Sequence, residues 1–175
     1  MTLDLQPVLT GELLELRPLV PEDWDALFRA AADPRIWEQH PEHTRWQEPV
    51  FRAFFAGALA SRGAFAIRER ATGEVVGSSR YHAYDEAGSV VEIGWTFLVR
   101  RLWGGRYNAE LKRLMLTHAF GSVARVHFVV GPTNWRSRKA VEKLGATLAG
   151  TITNARGEDS VVYELTPERY AASAY

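Results

Sequence analysis

The chain has 175 residues, 46% of them hydrophobic, and 21 Lys plus Arg balance 21 Asp plus Glu. That is enough apolar material for one full core, and a net charge of zero gives no basic stripe for nucleic acid. No cysteine is present, which excludes disulfides, thiol nucleophiles and Cys-ligated zinc. The opening Met1-Thr2-Leu3-Asp4-Leu5 lacks a basic segment before an apolar core, and no apolar run reaches the ~18–20 residues of a membrane span. The expectation is a soluble, cytoplasmic, single domain over residues 1–175, with no nucleic-acid or membrane partner.

Residues 12–16 alternate around Leu13, Leu14 and Leu16 and predict a strand that Pro18 ends. Pro21-Glu22-Asp23 opens a helix: Pro fits the first turn and acids suit the dipole. Trp24, Leu27, Phe28 and Ala31 follow at helical spacing, and Asp33-Pro34 stops the run. Residues 37–46 are irregular and carry His40, His43, Trp37 and Trp46. A second helix spans residues 48–61. Residues 64–69 and 75–84 read as strands around a Thr72-Gly73-Glu74 hairpin turn. A long strand follows over residues 89–99, with Val91, Ile93, Trp95, Phe97 and Val99 expected on one face. Gly94 inside it marks a bulge or a close backbone approach.

Residues 99–108 hold Arg100, Arg101 and Arg106 around Gly104-Gly105, at a strand-to-helix junction. Glycines let the backbone approach a ligand, and a helix N-terminus offers free N–H groups and a favourable dipole to an anion. Arg adds charge-assisted hydrogen bonds to phosphate. A helix over residues 106–120 follows, with a stripe of Tyr107, Leu111, Leu114, Met115 and His118 or Ala119, and Gly121 as its stop. Residues 123–130 read as a buried strand. Residues 134–144 form a short helix with Asn134 as cap and Gly145 as stop. Two strands, near residues 146–152 and 160–165, complete the chain. The strand-helix-strand crossover predicts that strands 89–99 and 123–130 lie parallel.

Three segments in this order resemble the GNAT superfamily of acyl-CoA-dependent N-acetyltransferases, and within it the Rim-type branch that acts on ribosomal-protein N-termini. They are Leu14-Glu15-Leu16-Arg17-Pro18-Leu19 before an acid-Trp helix, Glu92-Ile93-Gly94-Trp95 with the loop from Arg101 to Glu110, and Asn134-x-x-Ser137 running to Lys143-Leu144-Gly145-Ala146. The similarity covers nearly the whole chain. It implies an α/β (α+β) fold: a mixed, mostly antiparallel sheet of about seven strands flanked by about four helices. It implies acetyl-CoA as co-substrate, no metal, and direct attack of an amine on the thioester. It also admits a homodimer. Arg106 stands where the family's loop has its last Gly or Ala, and Val141 stands where many members carry a thiolate-protonating Tyr.

On this resemblance, pyrophosphate sits on the N–H groups from Leu102 through Tyr107, including Trp103, Gly104, Gly105 and Arg106, beside Arg101. Pantetheine pairs with the edge from Trp95 to Val99, and so with Phe97, Leu98 and Val99. Asn134 either caps its helix or holds pantetheine. Arg138 and Lys139 either reach the 3′-phosphate or form a solvated face. Ser137 becomes the proton donor to sulfur, or else part of a cap. Glu92 faces away from Ile93 and is either the base, acting through water, or a charge paired across strands. His82 is a proton relay or a structural strand residue. Trp37, Trp46 and Trp95 line an acceptor pocket. The acceptor is a protein N-terminal amine, a small amine or an amino acid. Two other readings stand beside it: a non-catalytic module that binds CoA or a partner, and an oligomeric structural protein.

Overall fold

The computed structural model describes residues 2–154 and 157–173, so Met1 of the opening segment lies outside them. The strands are β1 (Leu9–Thr10), β2 (Leu14–Pro18), β3 (Ala64–Glu69), β4 (Val75–Asp85), β5 (Val90–Leu98), β6 (Arg125–Val130), β7 (Thr147–Thr153) and β8 (Asp159–Leu165). The helices are α1 (Trp24–Ala31), α2 (Glu48–Ser61), α3 (Arg106–Phe120), α4 (Trp135–Lys143) and α5 (Pro167–Ala172). One sheet of eight strands runs in the order β1-β2-β3-β4-β5-β6-β8-β7. Among the described residues, only β5 and β6 pair in parallel; every other neighbouring pair is antiparallel. The mixed fold is the expected one, with one strand and one helix more. The two residues of β1 are too few to show a period. The helix α5 is a short C-terminal turn capped by Thr166 and opened by Pro167.

The sheet buries both faces. On one, α1 and α2 press Leu27, Phe51, Phe54 and Phe55 onto Ala64, Ala66 and Phe97. On the other, α3 and α4 set Leu111, Met115 and Val141 against Phe65, Ile67, Ile93 and Phe128. The small residues of β3 face the aromatic layer of α1 and α2, and its large ones face α3. Burying each large apolar side chain contributes about 1.5–3 kcal/mol. The turn at Gly121 ends α3 with ordinary right-handed backbone rather than a left-handed glycine cap.

Two charged side chains of α3, Glu110 and Lys112, are buried. The Glu110 carboxylate accepts the backbone N–H groups of Glu12, Leu13 and Leu14, each at 2.8 Å. It therefore satisfies the turn that leads into β2 and ties that edge to the helix. Hydrogen bonds to a charged acceptor are worth about 1.5–3 kcal/mol each, and buried donors left unpaired cost more than the bond itself. Glu110→Ala is expected to lower the unfolding free energy by about 3 kcal/mol or more. Urea denaturation checks this; a loss under ~1 kcal/mol would show that water replaces the carboxylate.

Candidate active site

The parallel pairing of β5 and β6 covers Val90↔Arg125, Val91↔Val126 and Glu92↔His127 and stops there. Past Glu92 the strands part. On its other side β5 keeps its pairing with β4, but the register jumps from Arg80↔Gly94 to Ser78↔Phe97. Ser79 alone thus opposes both Trp95 and Thr96, which is a bulge. Trp95 lies in the left-handed region at φ 51°, a costly conformation for a bulky side chain. The bulge also corrects the expected single stripe: Val91 and Ile93 face the α3 core, whereas Phe97 faces the α1–α2 core, with Trp95 packed against it. The result is a wedge between β5 and β6, with a strand edge released on one side.

At the far end of β5, Arg100–Leu102 makes one 3-10 turn. Leu102 N–H donates to Val99 and Trp103 N–H to Arg100, both at 3.0 Å. These two groups, expected to face phosphate, are therefore used inside the turn. Among the described residues, the N–H groups of Gly104, Gly105, Arg106 and Tyr107 carry no backbone or side-chain partner. Nothing stands within 4 Å of where a Cβ on Gly104 or Gly105 would lie. The Arg106 side chain is exposed at the helix start.

The side chains around this turn are scaffold, which revises two expectations. Arg101 pairs with Glu69 at 2.6 Å and Glu74 at 3.2 Å, and the Tyr107 hydroxyl donates to Glu69 at 2.8 Å. Arg101, then Tyr107 and Thr72, hold the Glu69 carboxyl down at about 2. Arg101 thus locks the turn to β3 instead of reaching outward. Trp103 donates its indole N–H to Leu98 O at 2.8 Å and lies 4.1 Å from the Arg136 guanidinium. This contact occupies one carbonyl of the edge expected to be open at Phe97, Leu98 and Val99.

Asn134 is buried at the start of α4, and its Oδ1 accepts the Ser137 N–H at 3.2 Å. The cap is real, and it leaves the half-buried Ser137 hydroxyl uninvolved in capping. Arg138 donates to the Tyr163 hydroxyl at 2.9 Å and to Pro132 O at 2.8 Å. It braces the loop before α4 rather than reaching for a phosphate. Val141 is buried in the core.

On the opposite side of the wedge, burial pushes Glu92 up to about 7, against the nearby positive charge of Arg80. A Cβ on Gly94 would meet Glu92 Oε1 at 2.9 Å, so the missing side chain there makes room for the carboxyl. His82 is opposite Glu92 in register, exposed, and edge-on to Trp95 at 4.8 Å. Burial and then the Arg80 charge lower its pKa. Trp37 is a correction: it is 3% exposed, donates to Ala31 O at 2.9 Å, and packs on Phe97 as core. Trp46 lies exposed at the surface.

Three cations near the wedge carried no sequence signal. Lys112 reaches from α3 with its ammonium donating to Thr96 Oγ1 at 3.1 Å, 5.3 Å from the Phe128 ring, and burial lowers it to about 8. Thr96 and Phe128 belong to the two diverging strands, so this charge bridges the gap. Arg80 and Arg45 lie on the Glu92 side, over Trp95 and Trp37 respectively. Among the described residues, no group of three or more His, Cys, Asp or Glu side chains is placed to hold a metal, and no helix is long and apolar enough to cross a membrane.

The family model for the acetyltransferase (GNAT) domain matches residues 14–147. The chain belongs to this family. The uncharacterized N-acetyltransferase YoaA of Bacillus subtilis (strain 168) is 22% identical over 93% of this chain and 98% of its own. A GCN5-related N-acetyltransferase of Brucella melitensis superposes with a TM-score of 0.83 at 21% identity, over 95% of this chain and 81% of that one. RimJ of Mycobacterium smegmatis, solved in complex with CoA-disulfide, superposes at 0.69 with 21% identity, over 92% and 85%. In this GNAT domain the bulge, the wedge and the free N–H turn lie along one strand.

The Glu92 carboxyl supplies a test of site electrostatics by itself. Its folded pKa of about 7 exceeds the ordinary 4.5, so the folded state holds the proton longer than the unfolded chain. Stability therefore falls as pH rises from about 4.5 to about 7. Glu92→Gln removes this ionisation and is expected to be the more stable protein above pH ~7, by roughly 1–3 kcal/mol, with the gap closing below pH ~4.5. Urea midpoints of both proteins across that range decide it; parallel pH profiles would show Glu92 to be solvated.

Proposed function

We propose that this protein is an acetyl-CoA-dependent N-acetyltransferase that moves an acetyl group to a primary amine by direct attack. One observation carries the reading: a released strand edge runs from a turn with four free N–H groups to a half-buried carboxyl whose pKa is pushed up to about 7. Phosphates need the first, an extended thiol arm needs the edge, and an ammonium needs a base. The CoA-disulfide held by RimJ supports acetyl-CoA as the co-substrate here. The Rim-type resemblance extends the candidate acceptors to protein N-terminal amines.

In the reaction, Glu92 takes a proton from the bound ammonium, directly or through water. The freed nitrogen attacks the thioester carbon, a C–N bond forms, the C–S bond breaks, the thiolate is protonated, and the second proton shed by the nitrogen restores the group that gave that proton. With Val141 in the core, no phenol on α4 protonates the thiolate. Ser137 on the first turn of α4 does so, and the Lys112 ammonium adds positive charge to the gap between β5 and β6.

The phosphate turn is tested by Gly105→Val. Gly105 has extended backbone and open space around its Cβ direction, so valine adds neither strain nor a clash. Acetyl-CoA affinity measured by calorimetry is expected to fall at least ~10-fold, about 1.4 kcal/mol, with the fold intact. Unchanged affinity would move the phosphates elsewhere.

Ser137→Ala addresses the proton donor in a thiol-release assay over an amine panel. A transition-state donor is worth ~10²–10⁴-fold, so kcat should drop while KM for acetyl-CoA holds. A drop under about threefold would pass the proton to water or Lys112. Acetyl-CoA binding without turnover of any amine would favour the non-catalytic module.

A further inference from the structure

Arg80 is 6% exposed in the interior of β4, yet its guanidinium forms no hydrogen bond to any protein acceptor among the described residues. Its Nε is fully buried and unpartnered. Arg45, half-buried in the irregular segment over residues 37–47, likewise has a buried and unpartnered Nε. The two guanidinium groups share the Phe54 ring, at 5.8 Å and 4.9 Å. Arg80 also stacks on Trp95 at 4.5 Å, and Arg45 on Trp37 at 5.2 Å. They are close enough that the Arg80 charge opposes that of Arg45.

The one polar contact of Arg45 does not satisfy it. Its Nη1 lies 3.2 Å from His40 Nε2. But His40 Nδ1 accepts the Glu42 N–H at 2.9 Å, which assigns the ring hydrogen to Nε2. A donor then faces a donor. Burial, followed by the Arg45 charge, also pulls His40 down to about 4, so the ring stays neutral. The carboxylates in range are Glu92, beside Arg80, and Glu42, whose carboxylate accepts from Thr44. Neither accepts a hydrogen bond from either arginine.

A buried cation beside a half-buried one, neither with an acceptor, is costly, and protein interiors keep such groups paired. We propose that Arg45 and Arg80 form the anion-binding half of the acceptor pocket, and that the acceptor is a small amino acid-type amine whose own carboxylate they hold. A carboxylate has two oxygens and about four lone-pair sites, enough to accept from both guanidinium forks at once. Trp37, Phe54 and Trp95 supply aromatic walls for the guanidinium planes. Arg80 and Glu92 are diagonal neighbours across β4 and β5, separated by the open side of Gly94. An amine aimed at Glu92 therefore has its carboxylate only a few bonds away, as in a short amino acid. The phosphate turn at Gly104 to Tyr107 lies at the other end of β5, so CoA phosphates do not compete for this pair. The inference rests on the acetyltransferase reading for its word acceptor, not for the anion site itself.

Thermal-shift and calorimetric titrations of the intact chain, without acetyl-CoA, test the site. The probes are glycine, β-alanine and glutamate, set against glycinamide, ethylamine and a short acidic peptide. The free amino acids are expected to raise Tm, and glycinamide and ethylamine, which lack a carboxylate, to leave it unchanged. Arg80→Met and Arg45→Met keep the aliphatic packing and are each expected to weaken amino-acid binding at least tenfold. Neither should lower the Tm of the unliganded protein, because each removes a charge that no protein acceptor answers. A purely structural arginine would do the reverse. Arg45 lies outside the sheet, so its variant decides the question even where Arg80→Met fails to fold. Binding of the carboxylate-free amines or of the acidic peptide as tight as that of the amino acids would overturn the proposal, as would unweakened binding to the Arg45 variant. Turnover then separates the two readings. Failure of acetyl-CoA to bind, with the amino-acid shift intact, removes the transferase and upholds the anion site. Turnover of glycinamide with the kcat/KM of glycine removes the anion site and leaves the transferase.

Discussion

The parting of β5 from β6 beyond Glu92 and His127 is the constraint on which the rest of the site depends. Strands in a sheet stay paired because each unpaired N–H and C=O is a cost. Here the cost is accepted because β5 is bent by its bulge opposite Ser79. The left-handed Trp95 is held from several sides: its ring meets Arg80 and His82, and the adjacent Thr96 shares a 2.8 Å hydrogen bond with Ser79. Strain of this kind persists only where the surroundings over-determine it. The same distortion turns Phe97 to the aromatic layer and opens the wedge that the Lys112 ammonium enters.

The helix α3 shows how one element carries both stability and chemistry. Glu110 and Lys112 are two residues apart, and both are buried among apolar neighbours. Glu110 finds three backbone donors and becomes a structural staple to β2. Lys112 finds one hydroxyl, Thr96, for three donors, and burial alone moves its pKa. Both are inward-facing charges on one helix, and they differ in how completely each is answered.

That difference also explains which parts were legible in the sequence. Helices α2 and α3 and strand β3 fall where periodicity, the Gly104-Gly105 junction and the hairpin turn place them, because those signals are local. The β5 stripe failed at Trp95, since a bulge changes the face of a strand without changing its apolar pattern. The loop pattern points Arg101 at phosphate, but its partner Glu69 lies 32 residues away on another strand. Arg138 is taken by Tyr163 in the same manner, 25 residues away. A motif shows which residue types a loop carries; it does not show which of them a distant strand has already claimed. Arg45, Arg80 and Lys112 belong to no motif and become visible only as buried or half-buried charges without matching partners.

The contrast extends across the molecule. Arg17 with Asp23, Arg100 with Asp33, and Arg101 with Glu69 and Glu74 are paired charges, and all of them fasten turns and helix starts to the sheet. On the Glu92 side of the bulge the pattern reverses. Glu92 is held near neutrality, His40 is kept unprotonated, and two guanidinium groups stack on rings instead of meeting carboxylates. A fold selected for stability alone would replace such groups with apolar ones of the same volume. Their clustering on one side of one wedge means that the electrostatic cost is concentrated where a charged ligand would relieve it. The aromatic packing of α1 and α2 beneath them supplies the stability that lets the sheet tolerate it.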